Sequence, residues 1–180
     1  SRGYKAGGFN IGQLVPQDRR TFAPEYLWNL EGGLRFAAPA ATLEGELAVF
    51  HMWRDDQQVS TSFQVDPGDP LSYIFLTDNA ASGRNYGLEA ELAWRPVDSL
   101  RLAGTLGLLH TEYIDYRYGD RDLDGRDQAH APEWQYSLSA EWLGPRGFSA
   151  RADVAGTAAF YFDASHDQRS DPRTLVNRKA

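Results

Sequence analysis

Apolar and polar residues alternate with period two through most of this chain. The clearest case is Tyr86–Leu109. Its first arm sets Tyr86, Leu88, Ala90, Leu92 and Trp94 against Gly87, Glu89, Glu91 and Ala93. Its second arm sets Leu100, Leu102, Leu106 and Leu108 against Arg101, Ala103, Thr105 and Gly107. Successive side chains of a strand point to opposite faces, so each arm predicts a β-strand with one apolar and one polar face. Arg95–Ser99, with Pro96 and Asp98, predicts the tight connection of an antiparallel hairpin.

The same alternation recurs at Trp28–Phe36, Leu43–Trp53, Trp134–Trp142 and Phe148–Phe162. Gly3–Asn10 reads as the end of a strand, and Thr174–Asn177 as the start of another. Ala37–Ala41 and Gly144–Gly147 predict short turns. Ile11–Tyr26, Arg54–Arg84, Arg117–Glu133 and Asp163–Arg173 predict long polar loops, with a strand end at Tyr73–Leu76 inside the second. Helical periodicity is not sustained anywhere. The predicted fold class is all-β: an antiparallel up-and-down meander of about seven strands and the start of an eighth.

Two regularities give the meander an environment. Short and long connections alternate, which puts all short turns on one side and all long loops on the other. Rings also bound the apolar face at a fixed spacing: Trp28 to Phe36, Tyr86 to Trp94, Trp134 to Trp142. Eight steps at about 3.3 Å span roughly 26 Å along a strand. Tilted by about 40°, that is about 20 Å of height, close to the roughly 25 Å apolar band of outer-membrane barrels. Phe36, Trp94, Trp142 and Phe148 would form the girdle on the short-turn side, and Trp28, Tyr86, Trp134 and Phe160 the other. A soluble β-sandwich also alternates, but its apolar face is a core in which rings sit anywhere. The pattern therefore favours part of a transmembrane β-barrel.

Composition fits that reading. Mean hydropathy is -0.53, and no apolar run approaches the roughly 20 residues of a membrane helix. A membrane barrel needs no such run. The net charge of -7 argues against nucleic acid as a partner. Without cysteine, neither disulfides nor thiolate metal sites are available. The chain opens without Met or an apolar leader and reads as a piece of something longer.

The polar face carries Glu31, Arg35, Glu44, Glu46, Glu89, Glu91, Arg101, Glu141, Arg151 and Asp153. It predicts either a wall contacting a plug or solute, or a hydrated wall with incidental ion pairs. Glu91 and Arg101 are expected near each other diagonally across the central hairpin. Asp120, Asp122, Asp124 and Gly125 match D-x-D-x-D-G, the first half of a calcium loop, and Asp127 adds a carboxylate. The twelfth position is Ala131 rather than a bidentate Glu, so the acidic turn of a loop tip competes with a calcium site. Among His51, His110, His130 and His166 no H-E-x-x-H occurs, and G-x-S-x-G is absent. His110 and Glu112 share a face without a nearby nucleophile. His51 and His110 are expected near the membrane interface, His130 and His166 in loops. No catalytic residue and no cofactor are predicted.

Several blocks together carry a resemblance. They are S-R-G-Y-K-A-G-G-F-N, F-A-P-E-Y-L-W-N-L-E-G-G-L, F-H-M-W-R-D-D-Q, N-A-A-S-G-R-N-Y-G-L-E-A-E-L, A-P-E-W-Q-Y-S-L, Y-F-D-A-S-H-D and T-L-V-N. In this order they resemble the C-terminal barrel of TonB-dependent outer-membrane receptors, over nearly the whole chain. The resemblance implies a barrel of about twenty-two strands plugged by an N-terminal domain, in the outer membrane of Gram-negative bacteria. It implies active import of a scarce ligand such as a ferric siderophore, powered through the TonB complex, with no enzymatic step. Residues 1–180 would then be a partial barrel, without the plug, the TonB box and the last strands. The resemblance puts the short turns at the periplasm and ligand contacts in the long extracellular loops 11–26, 54–84, 117–133 and 163–173, with no individual binding residue carried over. A small self-contained barrel acting as a passive pore or adhesin competes with this, as does a soluble carbohydrate-binding β-sandwich.

Overall fold

The computed structural model describes residues 1–118, 121–163 and 168–179. Two-faced sequence segments become strands wherever a neighbouring segment offers an antiparallel partner. In chain order these are β1 (Arg2–Lys5), β2 (Gly8–Phe9), β3 (Thr21–Phe22), β4 (Glu25–Ala38), β5 (Leu43–Gln64), β6 (Tyr73–Val97), β7 (Leu100–Ile114), β8 (Arg117–Tyr118), β9 (Arg121–Asp122), β10 (Trp134–Leu143), β11 (Ser149–Thr157) and β12 (Arg173–Lys179). The main sheet has eight strands in the order β1-β4-β5-β6-β7-β10-β11-β12, an antiparallel meander in which spatial order follows chain order. Two ribbons, β2-β3 and β8-β9, stand outside it.

Short connections are tight. Asp98–Ser99 alone links β6 to β7, narrower than the expected Arg95–Ser99, because Arg95 N–H donates to Thr42 O and keeps the strand going. Single 3-10 turns at Pro39–Ala41 and Pro145–Gly147 make the other two. Each turn starts with proline, whose fixed φ suits it. Thr42 and Gly147 absorb the positive φ that closes them (49° and 83°).

Three expectations are corrected. Arg54–Arg84 is not a loop: β5 runs on to Gln64 and β6 starts at Tyr73, so the connection is only 65–72. Apolar residues are sparse over Asp55–Ser62 and crowd together at Tyr73–Leu76, so no sustained alternation announces the extension, but antiparallel pairing needs only a partner. β11 stops at Thr157 rather than Phe162. Its partner β10 begins at Trp134, just after Pro132, and proline cannot donate to a ladder. Beyond Ala158 the chain pairs with itself, Tyr161 opposite Arg169. Gly3–Asn10 is likewise split: β1 joins the main sheet and β2 pairs with β3.

The chain forms two compact units, Ser1–Asn29, Met52–Arg84 and Glu112–Arg126 making one, and Leu30–His51, Asn85–Thr111 and Asp127–Ala180 the other. The first unit has a small core: Val15, Val59, Leu76, Tyr113, Tyr116 and Leu123 are buried. In the second, the register puts Arg101, Glu141 and Arg151 in one cross-strand row and Leu102, Ala140 and Ala152 in the next. Its two faces are therefore segregated as the alternation requires.

The apolar face of the second unit is bare. Leu30, Leu34 and Leu138 are 68%, 63% and 56% exposed, and Trp94 and Trp142 are also exposed. In a sandwich these side chains would be core. The self-contained small barrel would need β12 paired with β1. Among the described residues β1 and β12 are instead the two edge strands. Glycines on this face seat rings: the Phe36 ring lies over Gly45, and the Tyr136 ring covers Gly156 across the β10–β11 ladder.

Candidate functional site

On the polar wall of the second unit, Arg35, Arg101 and Arg151 each hold a carboxylate. Arg35 Nε donates to Glu46 Oε2 at 2.9 Å. Arg101 Nη1 reaches Glu141 Oε2 at 3.3 Å, from opposite positions on β7 and β10. Arg151 grips Asp153 on its own strand, Nε to Oδ1 and Oδ2 at 3.0 Å. Thr105 and Ser137, also opposite each other, share a hydroxyl hydrogen bond at 2.8 Å. Two adjoining grooves of about 540 and 360 Å³ run along this face, with Glu44, Ala93 and Ser139 common to both. The expected Glu91–Arg101 pair does not form. Arg101 finds its carboxylate directly opposite, in Glu141, whereas Glu91 lies in the field of Arg35. A directly opposed pair is closer than a diagonal one, and so it prevails.

In the first unit, side chains stitch the segment before β4 onto β5 and β6. Asn10 works as a surrogate peptide: its Oδ1 accepts from Thr77 N–H at 2.8 Å, and its Nδ2 donates to Thr77 O at 2.7 Å and to Arg19 O at 2.8 Å. Asn79 does the same from the other side. Its Oδ1 accepts from Ala23 N–H, and its Nδ2 donates to Ala23 O and Asp56 O. Asp56 has φ 55°, a left-handed residue whose carbonyl is captured in this way. Glu25 is only 4% exposed and takes three donors: Arg54 Nε at 3.0 Å, Arg54 Nη2 at 2.7 Å and Gln58 N–H at 3.0 Å. Gln58 Nε2 in turn donates to Ala6 O and Ala23 O. Burying a carboxylate is costly unless it is paired and hydrogen-bonded, and here it is both.

Among the described residues, several of the long connections carry structure of their own. Of 11–26, residues Gln17–Arg19 form a 3-10 turn and Thr21–Phe22 a strand, while Ile11 and Leu14 are exposed. In 65–72, Ser72 Oγ donates to Asp66 O and Asp69 O, and Asp66 Oδ1 accepts from Gly68 N–H. In 117–133, β8 pairs with β9, Leu123 is buried, and its N–H donates to Tyr116 O. In 163–173, Arg169 stacks on Tyr161 at 5.2 Å.

The carboxylates of the D-x-D-x-D-G turn serve the main chain. Asp124 Oδ1 accepts from Tyr116 N–H, Asp122 Oδ1 accepts from Asp124 N–H, and Gly125 takes φ 73°. Asp120 lies outside the described residues. Among those described, no group of three or more His, Asp or Glu is placed to hold a metal ion. His51 and His110 flank Tyr86 on neighbouring strands, with ring centroids 5.7 and 4.7 Å apart. His130 packs on Phe160 and Phe162. His166 lies outside the described residues, and Glu112 pairs with Arg84.

Sequence reasoning missed Asn10, Asn79, Glu25, Arg54 and Gln58 as a network. Their signal was position: Asn10, Asn79, Glu25 and Arg54 fall inside G-G-F-N, N-A-A-S-G, F-A-P-E and R-D-D-Q, blocks that carry the family resemblance, and Gln58 follows the last of them directly.

The comparisons agree with this architecture. A family model described as TonB dependent receptor-like, beta-barrel matches residues 1–180. The chain is similar in structure to the ferric yersiniabactin uptake receptor FyuA from Yersinia pestis, with 19% identity and a TM-score of 0.77 over 99% of this chain and 26% of that one. The ferric preacinetobactin receptor BauA from Acinetobacter baumannii matches at 21% identity and a TM-score of 0.64 over 88% of this chain and 23% of that one. The copper transporter OprC matches at 12% identity and a TM-score of 0.72 over 98% and 27%. The chain therefore spans about a quarter of the length of these proteins, and at such identities the likeness is one of fold. The family model covers every strand of the two-faced meander, and the chain belongs to the TonB-dependent receptor β-barrel family.

Proposed function

We propose that this chain is a segment of an outer-membrane active transporter that imports a scarce ligand, a ferric siderophore in the first instance, with energy supplied through TonB. The observation that carries the reading is the pair of faces on one sheet: a bare apolar face bounded by rings, and an ion-paired polar face. The first suits lipid tails, the second a hydrated lumen holding a plug domain. FyuA and BauA, whose folds it shares, are receptors for ferric siderophores, which supports the cargo class. Short turns face the periplasm in this reading. The stitched connections 11–26, 65–72, 117–133 and 163–173 face outside, where ligand is met. The process is transport and calls for no bond-making residue.

The test is growth under iron limitation. Cells whose sole siderophore receptor is the complete chain carrying this segment should take up radiolabelled ferric siderophore, and should lose uptake when TonB is removed. Uptake that continues unchanged without TonB, or a receptor that never accumulates a ferric ligand while accumulating copper, would sink the reading.

A further inference from the structure

The polar wall of the second unit changes character along its length. Toward the short turns its charges are paired, Arg101 with Glu141 and Arg151 with Asp153. Toward the long connections a cross-strand row runs Gly107, Gln135, Thr157, Arg173, and the next row on the same face runs Thr105, Ser137, Ala155, Leu175. Thr157 is the last residue of β11 and Arg173 the first of β12, so the first row lies at the long-connection end of both strands. The two rows line a third groove of about 360 Å³, within the range of small-molecule sites.

Arg173 is the only charged side chain lining this groove among the described residues. Other arginines also lack a carboxylate partner, but in other surroundings. Arg95 lines the larger polar groove beside Glu44 and Glu141, Arg146 sits in the Pro145–Gly147 turn, and Arg178 stands opposite Ala152 on the apolar face. Asp153, one strand from Arg173 on the same face, is held by Arg151. Around Arg173 the groove offers neutral groups instead. The Gln135 amide and the Thr157 hydroxyl are held by no other side chain among the described residues. Thr105 and Ser137 share one hydrogen bond, which leaves one hydroxyl hydrogen free to donate.

A guanidinium presents a planar fork that takes a carboxylate through two parallel hydrogen bonds. An amide and hydroxyls beside it match the hydroxyls of a polyol. One fixed cation balances one negative charge; further charges would be left unpaired against a neutral wall. We propose that this groove is a cargo subsite for a hydroxyl-bearing monocarboxylate, with Arg173 taking the carboxylate and Gln135 and Thr157 the adjoining hydroxyls. The inference rests on the transporter reading, which puts this end of the wall outside, where ligand is met. It deepens that reading by naming the chemistry the cargo presents.

The test uses the complete receptor chain in detergent, with gluconate and sorbitol as probes. The two share a six-carbon polyol chain and differ at one end, carboxylate against alcohol. Saturation-transfer NMR titrations should show gluconate binding about tenfold tighter than sorbitol, and Arg173→Gln should abolish that preference, as loss of one charge-assisted pair. Arg173→Lys, with the charge but no fork, should keep part of it. Thr157→Val, with the cation intact, should weaken both probes alike. Equal binding of the two probes by the unaltered protein overturns the site. A preference that survives Arg173→Gln overturns it too, since the cation then serves the protein rather than the cargo. Ferric siderophore uptake that ignores the loss of TonB overturns the transporter reading. TonB-dependent uptake together with equal probe binding overturns this inference alone.

Discussion

The side-chain amide of Asn79 binds the main chain of Ala23 on both sides, accepting its N–H at 2.6 Å and donating to its carbonyl at 3.0 Å. One side chain thereby replaces a strand partner for the segment entering β4, and the same amide also holds Asp56 O at 2.7 Å. Asn79→Ala removes all three bonds and should lower stability by about 1–3 kcal/mol. Limited proteolysis of the complete barrel should then cut within residues 6–24 faster than in the unaltered protein. Equal cutting rates would mean the stitch is dispensable.

The Glu25–Arg54 pair makes a sharper prediction. Glu25 is buried and Arg54 partly exposed, so the two partners are not equivalent. Arg54→Met leaves a buried carboxylate with a single main-chain donor from Gln58, at a cost of about 1.5–3 kcal/mol. Adding Glu25→Gln should recover part of that loss, because the uncompensated charge disappears. Denaturant unfolding of the single and double variants measures the recovery; a double variant no more stable than Arg54→Met alone contradicts it.

Neighbouring positions on β7 should respond oppositely to charge. Leu106 lies opposite Tyr136 on the apolar face, while Thr105 bonds Ser137 on the polar face. Leu106→Arg should block membrane assembly, since charge on the lipid face near mid-bilayer costs about 2–4 kcal/mol, and Thr105→Arg should be tolerated. Heat-modifiable gel mobility of the complete barrel reads the folded fraction. Equal tolerance would remove lipid from the apolar face.

Gly156 is sterically required. A β-carbon there would overlap the Tyr136 ring that covers it. Gly156→Val should destabilise by about 1–3 kcal/mol, through overpacking rather than lost backbone freedom. Tyr136→Ala in the same chain should relieve much of the strain, which a thermal melt of the pair would register.

How far the structure could be read from the residues follows from what surrounds each strand. Between Trp28 and Phe36, or Trp134 and Trp142, the environment changes at every second residue, and the alternation records it. Over Asp55–Ser62 Val59 is the one apolar residue, so a strand looks like a loop until its partner is known. The ribbons β2–β3 and β8–β9 are too short to show any period. Arg101 illustrates a finer limit: its face was legible, but the choice of Glu141 over Glu91 depends on the register between β7 and β10, which no local pattern encodes. Asn10 and Asn79 act through main-chain atoms of distant residues, and an amide carries no mark of such a partner.

Because sheet order follows chain order, each strand of the meander is wired only to its neighbours in sequence. Circumference is then an editable property. Duplicating or deleting one hairpin, such as β6–β7, would widen or narrow a closed wall by two staves without rerouting any other connection, since diameter grows with strand number. A lineage built this way can resize its aperture by unequal recombination while every remaining pairing keeps its register.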